Sequence, residues 1–474
     1  MRVRDCGCRA IPFITTTLLV ACGGGGGYSA PYMPPPAAMP TVAFTAPGQS
    51  TTVNFGRAVK LTWTSTNATS CTASTSSNTG GTFTGSEPAS GSVTVAPTAP
   101  GNITYTLACM GTGGSASATT SVTVADSILS MLSVAGMTTI GSTIDPVSAD
   151  YNPYGLTLAP ATAGLITQGD LVVCNFNAGM QTQQGTGTTV IGLHPTAGAM
   201  PYRIAQSADL QGCNALTLLP DDSISAAAYT ANENPLVTAA GVVGTPFSTD
   251  VFAHPWGEAY VAANGTNPAA LYVSNVDGSI DRITLDGDTQ SAFTQIASGF
   301  CTSGTPGAIF APSGLTYDAS IDTLYIVDTS SNSVIAFTSV SGIGSGGIVV
   351  NGQCSSVSGP PTPAPTFSGS SATSARVIAT GGALFTPLSA ALLSDGDLIV
   401  ANADINIGSQ TPNQVFEISP VLPGGFVGQP VQLDSGAPGA LFGIAATVDS
   451  QGNQIVYFND DNANAVMKIT VAPQ

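Results

Sequence analysis

The chain has 474 residues and a formal net charge of −18, from 9 Lys and Arg against 27 Asp and Glu. So few basic side chains speak against nucleic acid as a partner, because phosphate neutralisation needs clustered Lys and Arg. A hydrophobic share of 43% speaks against global disorder, and 55 Gly and 33 Pro with few helix formers point to an all-β protein.

Residues 1–21 read as a secretory signal: Arg2, Arg4 and Arg9 make a basic start, followed by a short apolar stretch from Ala10 to Ala21. That stretch is too short for a stable transmembrane helix. The sequence Leu19-Val20-Ala21-Cys22 resembles the lipobox of bacterial lipoproteins. The resemblance implies acylation of Cys22, a cell-envelope address, and contact with membrane through a lipid anchor only. Cys6 and Cys8 are not explained by it. Residues 22–40, five glycines followed by a proline-rich run, read as a tether that is floppy and then extended. Gly23 resembles the residue that follows the lipid-bearing Cys in lipoproteins sorted to the outer membrane.

Residues 41–125 read as short strands. Val59, Leu61 and Trp63 alternate along one segment, and Ile103, Tyr105, Leu107 and Cys109 share a face of another. A Trp shortly before Cys71 and a Tyr shortly before Cys109 argue a β-sandwich. The segment resembles a bacterial immunoglobulin-like domain, read here as a spacer. Cys71 and Cys109 are the expected disulfide partners in an oxidising compartment.

Residues 126–474 repeat one phrase. "LYIVDTSSNSVIAF" from Leu324 has echoes at Leu271, Leu398 and Ile455. Each echo belongs to a longer unit that opens on a turn of the Pro-x-Gly kind, with starts at Gly155, Ala215, Gly257, Gly314, Ser389 and Gly443. A unit of three or four strands cannot bury both faces alone, whereas copies packed around an axis can. The fold class is therefore all-β: an immunoglobulin-like β-sandwich followed by a six-bladed β-propeller. The repeated Asn175, Asn275, Asp328, Asn402 and Asn459 read as structural turn residues. The pattern resembles the NHL-repeat and gluconolactonase-like propellers. Cys174, Cys213, Cys301 and Cys354 read as two disulfides stapling loops, with their connectivity open.

Propellers bind at one end of the channel, where the first strands converge. In the gluconolactonase-like family, metal ligands include Asn and Asp just before the glycine of that turn. Here those positions hold Tyr154, Asn214, Trp256, Ser313, Leu388 and Phe442, of which only Asn214 suits a hard cation. No metal site is expected there. Tyr154, Trp256 and Phe442 instead offer flat apolar faces for a sugar ring, a peptide or another neutral ligand; the alternative is that they plug the channel. His254 and Glu258, four residues apart, would form an acid/base pair only if both reached one substrate. No nucleophile-elbow, zinc or phosphate-loop motif is present. Acidic turns at Asp286 and Asn459 lack an EF-hand pattern and read as solvated; a structural calcium ion is the sole cofactor they would admit.

The expected function is that of an envelope lipoprotein whose propeller binds a small neutral ligand, a glycan or an envelope protein. The alternative is a metal-dependent hydrolase or lyase of the gluconolactonase or streptogramin-lyase kind.

Overall fold

Alternation of side chains builds the N-terminal part. In the strand Val59–Thr66 the apolar residues Val59, Leu61 and Trp63 are buried while the intervening Lys60, Thr62 and Thr64 are exposed. This is the period of two that a half-buried strand requires. The computed structural model describes residues 32–472 apart from 47–51, 55–56, 133–135, 180–182, 248–251, 266, 306–307, 353–362, 383, 403–410 and 422–423. Cys22, the expected lipidation site, and Cys354 lie outside the described residues.

One sheet joins Thr41–Thr45, Val59–Thr66 and Ser90–Val95. The other joins Thr52–Val53, Gly114–Val124, Gly101–Gly111, Ser70–Thr75 and Gly85–Glu87. Between them lie Phe44, Leu61, Trp63, Phe83, Tyr105 and Leu107. The polar ends of the large rings are satisfied, since Trp63 Nε1 donates to the Pro88 carbonyl at 2.9 Å and Tyr105 OH to the Gly80 carbonyl at 2.7 Å. Cys71 is disulfide-bonded to Cys109, directly opposite it on the neighbouring strand. The bond therefore staples one sheet rather than bolting the two sheets together.

The second part is a six-bladed β-propeller. Its innermost strands are Tyr151–Leu158, Cys213–Leu218, Pro255–Val261, Pro312–Asp318, Pro387–Leu392 and Leu441–Val448, one per sheet. Each packs on the next, and the sixth packs back on the first, so the ring is closed. Closure comes from the N-terminal side. The strand Met137–Ser142 pairs with Ala465–Val471 and completes blade six from outside. Blade two is the thinnest, with Cys213–Leu218, Ile224–Ala228 and only Leu236–Val237. The long insert from residue 338 makes no seventh sheet among the described residues. Its Ile348–Asn351 and Thr366–Ser368 extend blade three, and Ala375–Thr380 is the outer strand of blade four.

The repeated Asn and Asp residues are buried and lie at or near the ends of the second strands. Asn275 Nδ2 donates to Ser279 Oγ at 3.1 Å and to Asp281 Oδ2 at 2.6 Å, while its Oδ1 accepts the Ala253 N–H at 3.3 Å. Asn459 Nδ2 reaches across the closure to the Tyr154 and Gly155 carbonyls, both at 3.2 Å. Asn275, Asn402 and Asn459 thus tie a blade to the chain at the start of an inner strand, whereas Asp328 holds its own turn through Ser330 and Ser331, and Asn175 donates to Thr189 on the next strand. Cys174 and Cys213 form a disulfide, but both sit in strands, buried between blades one and two, so the bond staples blades and not a loop. Cys301 is also disulfide-bonded.

Candidate binding cavity on the propeller axis

Every inner strand carries a bulge at the same place. The register with the second strand slips between Pro153 and Leu156, Cys213 and Ala215, Pro255 and Gly257, Pro312 and Leu315, Pro387 and Ser389, and Leu441 and Ile444. A bulge adds one residue against a single partner and re-aims a side chain. Proline suits the position because it donates no ladder hydrogen bond. The position after the bulge must also be small. A Cβ on Gly257 would stand 1.8 Å from the Ser313 carbonyl oxygen of the next blade. The Pro-x-Gly phrase thus records close approach of adjacent inner strands.

The bulged residues Tyr154, Asn214, Trp256, Ser313, Leu388 and Phe442 line one cavity on the axis, together with the two residues that follow each of them. The aromatic members fill one another. The Tyr154 ring is stacked on Phe442 at 3.7 Å and on Phe176 at 4.2 Å, so both its faces are covered. Trp256 stands edge-on to Tyr154 and Phe176, each at 6.3 Å, and to Tyr229 at 5.6 Å. Its indole N–H donates to Ser313 Oγ at 3.1 Å. Phe442 alone among the three predicted rings is only half-buried. The plugging alternative describes Tyr154 well.

The polar residues are less complete. Asn214 Nδ2 donates to the Trp256 carbonyl, but Asn214 Oδ1 is buried without a partner. Glu258 Oε1 accepts from Ser225 Oγ and from Asn234 Nδ2 (the latter at 3.0 Å), while Glu258 Oε2 is buried and unpartnered. Ser389 Oγ, at the glycine position of blade five, is a third such atom. Burial pushes the Glu258 carboxyl up to about 7, against the pull of Ser225 and Asn234. A cavity lined by one acid and no basic side chain disfavours anions.

His254 and Glu258 do not form the acid/base pair that their spacing allows. His254 is exposed, with Nδ1 on the Tyr229 carbonyl at 2.8 Å, while Glu258 turns inward to blade two. The acidic turn at Asn459 is not solvated either: Asn459 and Asp460 are buried, and Asp461 is pushed up to about 7 by burial and by the charge of Asp460. Sequence reading missed Ser389 and Phe176. The first stands where four of the other five units carry glycine, and the second directly follows a repeated Asn. Both positions are visible only once the units are superposed.

Fold and cavity define a six-bladed propeller with a small polar chamber on its axis. No family model and no curated protein matches the chain. Among solved structures, it is similar to a catalytically inactive virginiamycin B lyase from Staphylococcus aureus with quinupristin. The identity is 13% over 68% of this chain and 96% of that one, with a TM-score of 0.37. It is also similar to regucalcin, a calcium-binding protein from Agrobacterium tumefaciens, at 13% identity over 71% and 96%, TM-score 0.40. A quinoprotein alcohol dehydrogenase-like protein from Bacteroides thetaiotaomicron matches at 9% identity over 90% and 96%, TM-score 0.26.

Proposed function

We propose that the propeller is a binding module that takes a small, uncharged polar ligand into its axial cavity. One observation carries this reading: Asn214 Oδ1, Glu258 Oε2 and Ser389 Oγ, from blades two, three and five, line one cavity without partners. Buried polar atoms are normally paired, and a ligand with hydrogen-bond donors would complete all three. Phe442 supplies the remaining ring surface. The absence of a basic side chain from the lining favours a polyol, a sugar or an amide over a phosphate or carboxylate. A partner protein would reach the same atoms by inserting a polar loop tip.

The sandwich is assigned the role of a spacer, and the chain that of an envelope lipoprotein acylated at Cys22 and sorted to the outer membrane. Support for the address comes from the basic start, the apolar stretch and the Leu-Val-Ala-Cys sequence. A second reading follows from the chemistry of the lining: all three unpartnered atoms are oxygens, and a hard divalent cation held there would allow hydrolase or lyase chemistry.

The test uses the two tryptophans, Trp63 and Trp256. In a Trp63→Phe background, Trp256 emission is followed while neutral mono- and disaccharides and small amides are added. Saturable change, lost in Asn214→Ala and Glu258→Gln, supports binding. Stoichiometric metal in the purified protein, with lactone turnover abolished by Asn214→Ala, would replace the binding reading with the second one.

A further inference from the structure

Blade five carries a second constellation, away from the axis. Its first hairpin turn is Asp395-Gly396-Asp397, between the strands Pro387–Leu392 and Leu398–Asn402, and its third strand brings Glu417 alongside. The three carboxylates present oxygens that all lie within 4.8 Å of one another. That is the greatest spread allowed to oxygens held about 2.4 Å from a single ion. Asp397 and Glu417 are fully buried, and Asp395 opens onto a cleft it shares with Asn54, Asp126, Ser394 and Gln454.

Two sides of this cluster come from elsewhere in the chain. Arg57 of the sandwich places Nη2 3.2 Å from Asp397 Oδ1. Gly396, at φ +84, permits this, since a Cβ there would stand 2.6 Å from the guanidinium. The short helix Ile128–Leu132 between the two domains donates the Leu129 N–H to Glu417 Oε2 at 2.6 Å. What these contacts leave is specific. Asp397 Oδ2 and Glu417 Oε1 have no hydrogen-bond partner, and Ser419 Oγ, fully buried beside Asp397, completes no hydrogen bond of good geometry. Three ionised carboxylates against one guanidinium would leave two negative charges in a water-poor site, a state that only bound protons or a further cation relieves. Buried charge of that kind is costly unless a counter-ion joins it.

We propose that Asp395, Asp397 and Glu417, with Ser419 and water from the cleft, bind one calcium ion at the joint between the sandwich and blade five. One divalent cation cancels the charge that Arg57 leaves over. The donor set is all oxygen, which suits calcium rather than a softer metal. The cleft beside Asp395 supplies an entry route and room for the waters that complete six or more ligands. Held there, the ion ties the first hairpin turn of blade five to its third strand, through Asp395 and Asp397 on one side and Glu417 on the other.

The test is calcium titration of the intact, chelator-stripped protein by calorimetry or equilibrium dialysis. The expected result is one ion per chain with a Kd of about 1 mM or tighter. Saturable binding should weaken at least tenfold in both Asp397→Asn and Glu417→Gln. Arg57→Gln should tighten it several-fold, because the repelling guanidinium is gone; a merely structural role for Arg57 predicts no such gain. Glu258→Gln should leave it unchanged. Should the carboxylate variants fail to fold, wild-type stoichiometry and the Arg57 and Glu258 variants still decide. No saturable binding to the wild type, or binding lost in Glu258→Gln, overturns the proposal. The latter result would put the ion in the axial cavity.

Discussion

Cys213 occupies in blade two the place that proline holds in blades one, three, four and five, and its disulfide partner Cys174 lies in the second strand of blade one. Blade two has the shortest outer edge of the six, so the bond compensates where strand pairing is poorest. Closing the intervening chain, a separation of 39 residues, is worth about 4 kcal/mol by chain entropy. The double variant Cys174→Ala, Cys213→Ala should lose stability of that order in chemical denaturation. A loss confined to a few tenths would mean that packing alone holds the blades together.

Gly257 meets Ser313 across the boundary between blades three and four. Alanine there would force the two inner strands apart, since the opposing atom is a backbone carbonyl that cannot rotate away. Overpacking of this kind costs about 3 kcal/mol. Gly257→Ala should show that loss, while Gly342→Ala, with nothing near its added carbon, should be nearly neutral. Equal effects would remove close approach as the reason for the Pro-x-Gly phrase.

The repeat made the propeller legible, because each unit states its turn, its small residue and its buried Asn or Asp in the same order. The six bulged positions were legible for the same reason, and they line one cavity. What the sequence concealed were relations made by packing. Asp286-Gly287-Asp288 and Asp395-Gly396-Asp397 are the same tripeptide, each at a hairpin turn. The first is exposed, while the second is covered by Arg57 and the linking helix. No local pattern separates them. Likewise, four residues between His254 and Glu258 suggested a pair, but the bulge and the inward turn of the strand part them. The covering of both Tyr154 faces depends on Phe442, which arrives from the far end of the chain.

Closure of the ring rests on a strand whose sequence neighbours are far from its structural ones. Ile140 is buried at the seam, among Leu171, Val173, Ile191 and Leu193 of blade one and Ile455, Tyr457 and Val466 of blade six. Ile140→Ala should cost about 3 kcal/mol, more than an exposed substitution in the same strand such as Thr138→Ala. The effect should appear as faster hydrogen exchange in both Met137–Ser142 and Ala465–Val471. Exchange that quickens in only one of them would show that the two strands open independently.

Acidity and stability are linked in a definite direction. Burial pushes Glu258 up to about 7, Asp281 to about 7 against its bond from Asn275, and Asp461 to about 7 with help from Asp460. Each group binds its proton more tightly in the folded chain than in the unfolded one. The stability it contributes is therefore fully present below the ordinary carboxylate range and is lost as pH rises through about 7. For Glu258 alone the shift corresponds to at most about 3 kcal/mol. The protein should melt at a higher temperature near pH 5 than near pH 8. Glu258→Gln, which keeps the shape and removes the charge, should raise the melting temperature at the higher pH and flatten part of the slope. A melting temperature that climbs toward pH 8 would mean that these carboxylates are solvated or paired in the folded chain, and the polar chamber on the axis would then be open to bulk water.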